Sequence, residues 1–161
     1  MALRLIRTEG DPVLRKKTAP VSKFTPQLIV LIEDMIETML DAEGVGLAAP
    51  QVGISKSIIV VRDKDKSFEV INPEILSGEG EVIDIEGCLS FPGIYGEVPR
   101  FSRVEVKGLD RNKKEIKISA EGFLSRVFQH EIDHLRGVLF IDRALKLLTP
   151  EEIKKMSEKE N

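Results

Sequence analysis

One cysteine, two histidines and no tryptophan occur in this 161-residue chain. A single cysteine cannot close an internal disulfide, so the sequence suits a reducing, cytoplasmic compartment and must be held by its core. Long apolar runs are missing too. The longest, such as "SIIVV" at 57–61, are strand-sized and far short of the roughly 20 residues that span a bilayer. Neither sign of charge is in excess, since 24 basic and 27 acidic residues leave a net charge of −3. That balance, with no block of about five or six like charges, argues against a sequence-specific nucleic-acid binder and against an electrostatic tail. The start, "MALRLIRTEGDPVLRKK", turns charged before any apolar h-region develops, so no secretory signal is expected. Three Gln and three Asn amid abundant Lys and Glu hint at a heat-adapted source.

What remains is the composition of one globular domain over residues 1–161, 42% hydrophobic and 32% charged, long enough to bury a core unaided. Asp11-Pro12 caps a short turn, and Thr25-Pro26 repeats that signal. There Leu28, Ile29, Ile32, Met35, Ile36 and Met39 recur at helical spacing and predict a helix over about 26–41, stopped by Gly44 and Gly46. From 47 to about 120 short Val- and Ile-rich stretches read as strands, punctuated by Gly, Asn-Pro and Asp-Arg-Asn-Lys turns. "RVEVKGLDRNKKEIKIS" reads as an antiparallel hairpin. A second helix is expected over about 122–136, ending at Gly137, and Thr149-Pro150-Glu151-Glu152 opens a charged terminal helix. The pattern predicts an α+β fold, with antiparallel or mixed β-sheets packed around a central helix.

Both histidines lie on that central helix, in "FQHEIDHLRG" at 128–137. At roughly 100° per residue, His130 and His134 project from one stripe about a turn apart, which suits two ligands on one ion. Glu131 falls in the middle of the apolar face, among Val127, Leu124, Leu135 and Phe128. A carboxylate there is desolvated and its pKa rises unless a cation offsets the cost, which is the tuning that acid–base chemistry near neutral pH requires. Asp133 falls on the opposite side with Ser125, Arg126, Gln129 and Arg136. It is expected to be a solvated residue pairing with Arg136 or Arg126, with a supporting role behind the metal ligands as the alternative.

Two imidazoles leave an ion under-coordinated. Glu151 or Glu152 could serve as a third ligand but belong to an exposed, mixed-charge helix. Cys88, in "EGCLS" at 86–90, is the better candidate, and a Cys-His-His set leaves a position open, as catalytic rather than structural sites do.

"GVGLAAPQ" at 44–51, "EGCLS" and "QHEIDH" at 129–134 resemble, in order, the three signature motifs of the peptide deformylase family. "DPVLRKKTAPV", "INPEIL" and "HLRGVLFIDR" at 134–143 are also similar to it, so the likeness runs to about residue 145, in the compact bacterial form. The resemblance implies an enzyme that removes the N-formyl group from the initiator methionine of nascent polypeptides in the bacterial cytoplasm. It implies one divalent ion on Cys88, His130 and His134, Fe(II) in the cell, with zinc, nickel or cobalt able to replace it. It further implies a metal-activated water as nucleophile, with Glu131 as general base and acid. Gln51 and the Leu89 backbone N–H are then donors to the oxyanion. Val45, Gly46 and Gly87 would pair with the substrate main chain, with Gly44 and Gly46 allowing a bend and close approach to the backbone while Ala48 and Ala49 keep the floor low. Phe123 and Val127, on the histidine stripe, are expected to line a slot for the methionine side chain with Ile94 and Tyr95 from the adjoining loop. Glu86 and Arg100 form an expected ion pair bracing the cysteine loop. A monomer is implied, with the terminal helix either contacting the ribosome near its exit tunnel or serving as a solvated cap. Two rivals stand beside this reading. One is a zinc endopeptidase of the H-E-x-x-H type, and the other a catalytically dead metal-binding module.

Overall fold

The computed structural model describes residues 2–160. Helix α1 spans Pro26–Asp41 and opens where expected, with the Thr25 hydroxyl accepting from the Leu28 N–H. Its stop is not glycine. Glu43 takes the left-handed conformation, at φ 56°. The Glu43 and Gly44 N–H groups donate to the Leu40 and Met39 carbonyls, a Schellman ending in which a non-glycine residue bears the strain.

Strands β1 (Gly46–Ala48), β2 (Ile58–Asp63), β3 (Lys66–Glu79), β6 (Arg103–Leu109) and β7 (Glu115–Glu121) form a five-stranded sheet in the order β1-β2-β3-β6-β7. Strands β4 (Val82–Glu86), β5 (Tyr95–Arg100) and β8 (Lys146–Leu148) form a second, three-stranded sheet in the order β4-β5-β8. Every ladder is antiparallel. The hairpin read at 103–119 is β6–β7. Asn72-Pro73, read as a turn, instead forms a bulge inside β3, with a register shift between Ile71 and Glu74 and Asn72 at φ 53°. Proline has no N–H to give the ladder, and a bulge is where a strand tolerates that.

The continuous run in β2 has a simple cause. Ile58 and Val60 pack toward α1 beside Ile32, Met35 and Met39, while Ile59 and Val61 face helix α2 (Gly122–Leu135) and its Phe128 and Ile132. The strand is covered on both faces, so the alternation of a half-solvated strand disappears. Each fully buried aliphatic or aromatic side chain contributes about 1.5–3 kcal/mol. A third cluster of Leu14, Phe91, Val98, Leu139 and Phe140 lies beneath the smaller sheet.

Helix α2 follows β7 without a loop. Gly122, at φ 61°, turns the chain from strand to helix, a conformation only glycine adopts cheaply. At the far end Gly137 sits at φ 74°, and a β-carbon there would collide with the Arg15 carbonyl. The α+β fold around a central H-E-x-x-H helix is therefore as expected, but no face of that helix is solvated: every residue from Ser125 to Leu135 is buried. Beyond it come α3 (Phe140–Arg143) and the terminal α4 (Pro150–Glu160), where Thr149 and Glu152 form the expected reciprocal cap. Among the described residues no helix is long and apolar enough to cross a membrane.

Candidate metal centre

Three separate pieces of chain meet at one end of α2. The helix supplies His130 and His134, with ring centroids 5.2 Å apart. The segment after β4 supplies Cys88. Its Sγ lies 3.5 Å from His134 Nε2, and one donor atom from each of the three residues lies within 4.8 Å of the others. The turn after β1 supplies Gln51. The Ala48 N–H donates to its Oε1 at 2.9 Å, which aims Nε2 at Cys88 Sγ (3.5 Å) and Ser90 Oγ (3.1 Å).

Behind His130 stands a carboxylate. Burial pushes the Glu86 pKa up, but hydrogen bonds from Arg100 and His130 outweigh it and hold the group at about 2. Glu86 is therefore ionised, and the His130 Nδ1–H must donate to its Oε1, at 2.8 Å. Burial pushes the His130 pKa down, but hydrogen bonds with Cys88 and Glu86 hold it well above the ordinary histidine value. With Nδ1 committed to Glu86, an ion would take the place of the Nε2 proton, the carboxylate–imidazole–metal arrangement in which the outer group orients the ligand. One thiolate and two imidazoles suit Fe(II), Zn, Ni or Co, so the residues fit a divalent ion. Burial and the nearby His130 and Arg100 drive the His134 pKa well down, keeping that ring neutral and able to ligate.

Glu131 points into the same space. Burial raises its pKa to about 7, and its Oε1 has no hydrogen-bond partner among the described residues. Gly46 accounts for the room it occupies. A β-carbon there would lie 2.6 Å from Glu131 Oε2 and 2.8 Å from its Cγ. Gly46 does not have a positive φ, so its role is space rather than the bend expected from sequence. Gly46→Ala is expected to swing Glu131 aside and lower turnover at least tenfold with little change in bound metal, as metal analysis beside kinetics would show. Gly44 and Gly87 follow the same logic, against Leu89 and the Tyr95 ring.

A cavity of about 530 Å³ opens over this centre. It is lined by every residue proposed from sequence for substrate contact, namely Gly44, Val45, Gly46, Gly87, Ile94, Tyr95, Phe123 and Val127, together with Gln51, Cys88, Leu89, His130 and Glu131. Val127 is buried in the wall, whereas Phe123 stands at the rim, 63% exposed. Tyr95 opens β5 rather than belonging to the loop. The sequence reading missed Glu43, Ile85, Phe91, Pro92, Gly93 and Arg126 in the lining.

Asp133 is the clear correction. Far from solvated, it is buried and accepts from Arg100 Nη1 at 2.7 Å and from Arg143 Nε and Nη2 at 2.6 and 3.1 Å. Neither expected partner, Arg136 or Arg126, holds it. Arg126 instead reaches Glu86 at 2.6 Å and the Val98 and Val82 carbonyls, both at 2.7 Å. The helical wheel could not reveal this because the second sheet covers that face with arginines and carbonyls instead of water. The Glu86–Arg100 pair does form, through two 2.9 Å bonds. Because Glu86 also faces Arg126 and His130, exchanging the two charges places an arginine against an arginine. Glu86→Arg with Arg100→Glu is therefore expected to remain as unstable as either single change, and recovery of thermal stability would contradict the embedded network.

The profile of the polypeptide deformylase family matches residues 3–149. The chain belongs to the polypeptide deformylase family. A peptide deformylase of Halothermothrix orenii is 57% identical over 149 residues, covering 91% of this chain and 97% of that one. The crystal structure of peptide deformylase from Thermotoga maritima superposes with a TM-score of 0.87 at 49% identity, over 89% of this chain and 99% of that one. A class I type b peptide deformylase from Acinetobacter baumannii, crystallised with Met-Ala-Ser bound, has a TM-score of 0.83 at 37% identity, over 88% and 98%. The chain is an enzyme, as the relatives named peptide deformylase are, which removes the inert-module rival.

Proposed function

We propose that this enzyme hydrolyses the N-formyl group from the initiator methionine of newly made polypeptides, releasing formate. The observation that carries the proposal is the convergence of Cys88, His130, Glu131 and Gln51 on one cavity, with His134 grouped behind it with Cys88 and His130. Family membership and the Met-Ala-Ser complex of the Acinetobacter baumannii relative support it. When bound at Cys88, His130 and His134, a divalent ion supplies a Lewis acid that acidifies water and polarises the formyl oxygen. Glu131 accepts the proton of the attacking water at its free Oε1 and delivers it to the departing amine, a dual use that a pKa near 7 favours. Gln51 Nε2 and the Leu89 N–H donate to the oxygen that becomes negative.

The backbones of Val45, Gly46 and Gly87 pair with the extended peptide, and Val127, Ile94, Tyr95 and Phe123 receive the methionine side chain. We assign Fe(II) as the native ion, which metal analysis of anaerobically purified protein tests. A cytoplasmic monomer acting on chains near the ribosome completes the proposal. The deciding experiment offers a formyl-methionyl peptide and an internal peptide bond to the same preparation. Formate release without chain cleavage is expected, and cleavage without formate would establish the endopeptidase instead.

A further inference from the structure

The stretch "FIDR" at 140–143 forms α3, and its side chains reach back toward the metal centre. The Phe140 ring stacks on the His130 imidazole, with centroids 5.9 Å apart and planes 22° apart. Asp142 accepts from the Leu139 N–H and from Arg15, which ties α3 to the N-terminal arm. Arg143 completes a chain of charge-assisted hydrogen bonds to a ligand. It holds Asp133 at 2.6 and 3.1 Å, Asp133 holds Arg100 at 2.7 Å, Arg100 holds Glu86 at 2.9 Å twice, and Glu86 accepts from His130 at 2.8 Å.

Charge balance does not call for Arg143. Glu86 and Asp133 are already matched by the buried Arg100 and Arg126, and the Arg143 side chain is 46% exposed. What Arg143 adds is direction. The terminal torsion of an aspartate is broad and its carboxylate plane turns easily. Arg143 takes both oxygens in a fork, which fixes that plane. Arg100 shares Oδ2 with it. The rigid guanidinium of Arg100 then carries the orientation to both oxygens of Glu86 and so to the imidazole.

We propose that Arg143 is a positioning residue for His130, acting from the surface through Asp133, Arg100 and Glu86. This rests on the metal-site reading above. The test measures transfer of zinc from the loaded protein to a chromophoric chelator, beside kcat and KM for the formylated peptide. Groups bonded directly to a ligand change metal affinity or activity by about 10–100-fold, so Arg143→Met, farther out, is expected to speed release about three- to tenfold. It should also lower kcat severalfold at unchanged KM. Thermal unfolding of the metal-free protein should shift little, since a half-exposed ion pair adds little stability.

Arg143→Lys keeps the charge but loses the fork, and should stay nearer the Met variant than the wild type. In an Asp133→Asn background Arg143→Met should add nothing further. Wild-type release in Arg143→Met, full rescue by lysine, or equal acceleration in the Asp133→Asn background would each overturn the assignment. Faster zinc loss in a protein that releases no formate would leave Arg143 in place and remove the deformylase reading. A wild type that takes up no metal would remove both.

Discussion

Glutamine in place of Glu131 is expected to cut formate release by roughly 10²–10⁴ while metal content stays unchanged. The side chain is buried against Gly46 and its Oε1 meets no donor among the described residues, so glutamine fits the space but cannot take up and return a proton. The same substitution has an opposite effect on stability. Burial raises the Glu131 pKa from 4.5 to about 7, so in the metal-free protein its contribution is fully present below about pH 4.5. It is lost as pH rises through about 7. The loss is on the order of 3 kcal/mol once the group is ionised. Metal-free Glu131→Gln should therefore unfold at a higher temperature than the wild type at pH 8.5 and nearly match it at pH 4. A bound cation favours the ionised form, so metal should narrow the gap at high pH. A variant keeping a tenth or more of the activity, or a stability difference independent of pH, would sink this account. Glu86 runs the other way. Held at about 2, it stabilises the fold above about pH 4.5, and that support drains away as pH falls toward 2.

Removing the sulfur should be as damaging by a different route. Cys88→Ala is expected to emerge from gel filtration with little bound metal and with formate release at background. Two imidazoles on one helix remain, and the donor set of an open three-ligand site is broken. Cys88 is also within 3.5 Å of Gln51 Nε2 and of His134 Nε2, so the cysteine segment packs directly on the two other groups of the centre. Metal analysis decides the matter. Full retention of the ion in Cys88→Ala would mean that a carboxylate is the third ligand, as the endopeptidase rival requires, and would take Cys88 out of the centre.

Much of this was legible in the residues because it depends on local geometry. His130 and His134 share a stripe because four residues make about one helical turn. Glu131 lies among apolar neighbours because the same rotation puts it there, and its raised pKa follows. Asp11, Thr25 and Thr149 cap where they should because capping involves only the adjacent turn. Strand β5 was illegible for an equally physical reason. Its inward positions are Gly96, Val98 and Arg100, so no hydrophobic alternation marks it. The two residues that blur the pattern are those that the tertiary structure uses, Gly96 against Ala144 and Arg100 inside the ion network. Strand β1, three residues long, offered too few positions for any period.

The order of residues alone determined the donor types, their spacing on the helix, the lone cysteine and the placement of a carboxylate in an apolar stripe. Only the tertiary structure decided what surrounds them. A helical wheel assigns one side to water, yet the β4–β5 hairpin covers that side, so Asp133 and Arg126 became parts of a buried network. Gly46 became a socket for Glu131. The reason is that periodicity reports which direction a side chain faces, whereas its environment depends on contacts from segments distant in sequence. Asp133 to Arg100 is a separation of 33 residues, and Arg126 to Glu86 one of 40.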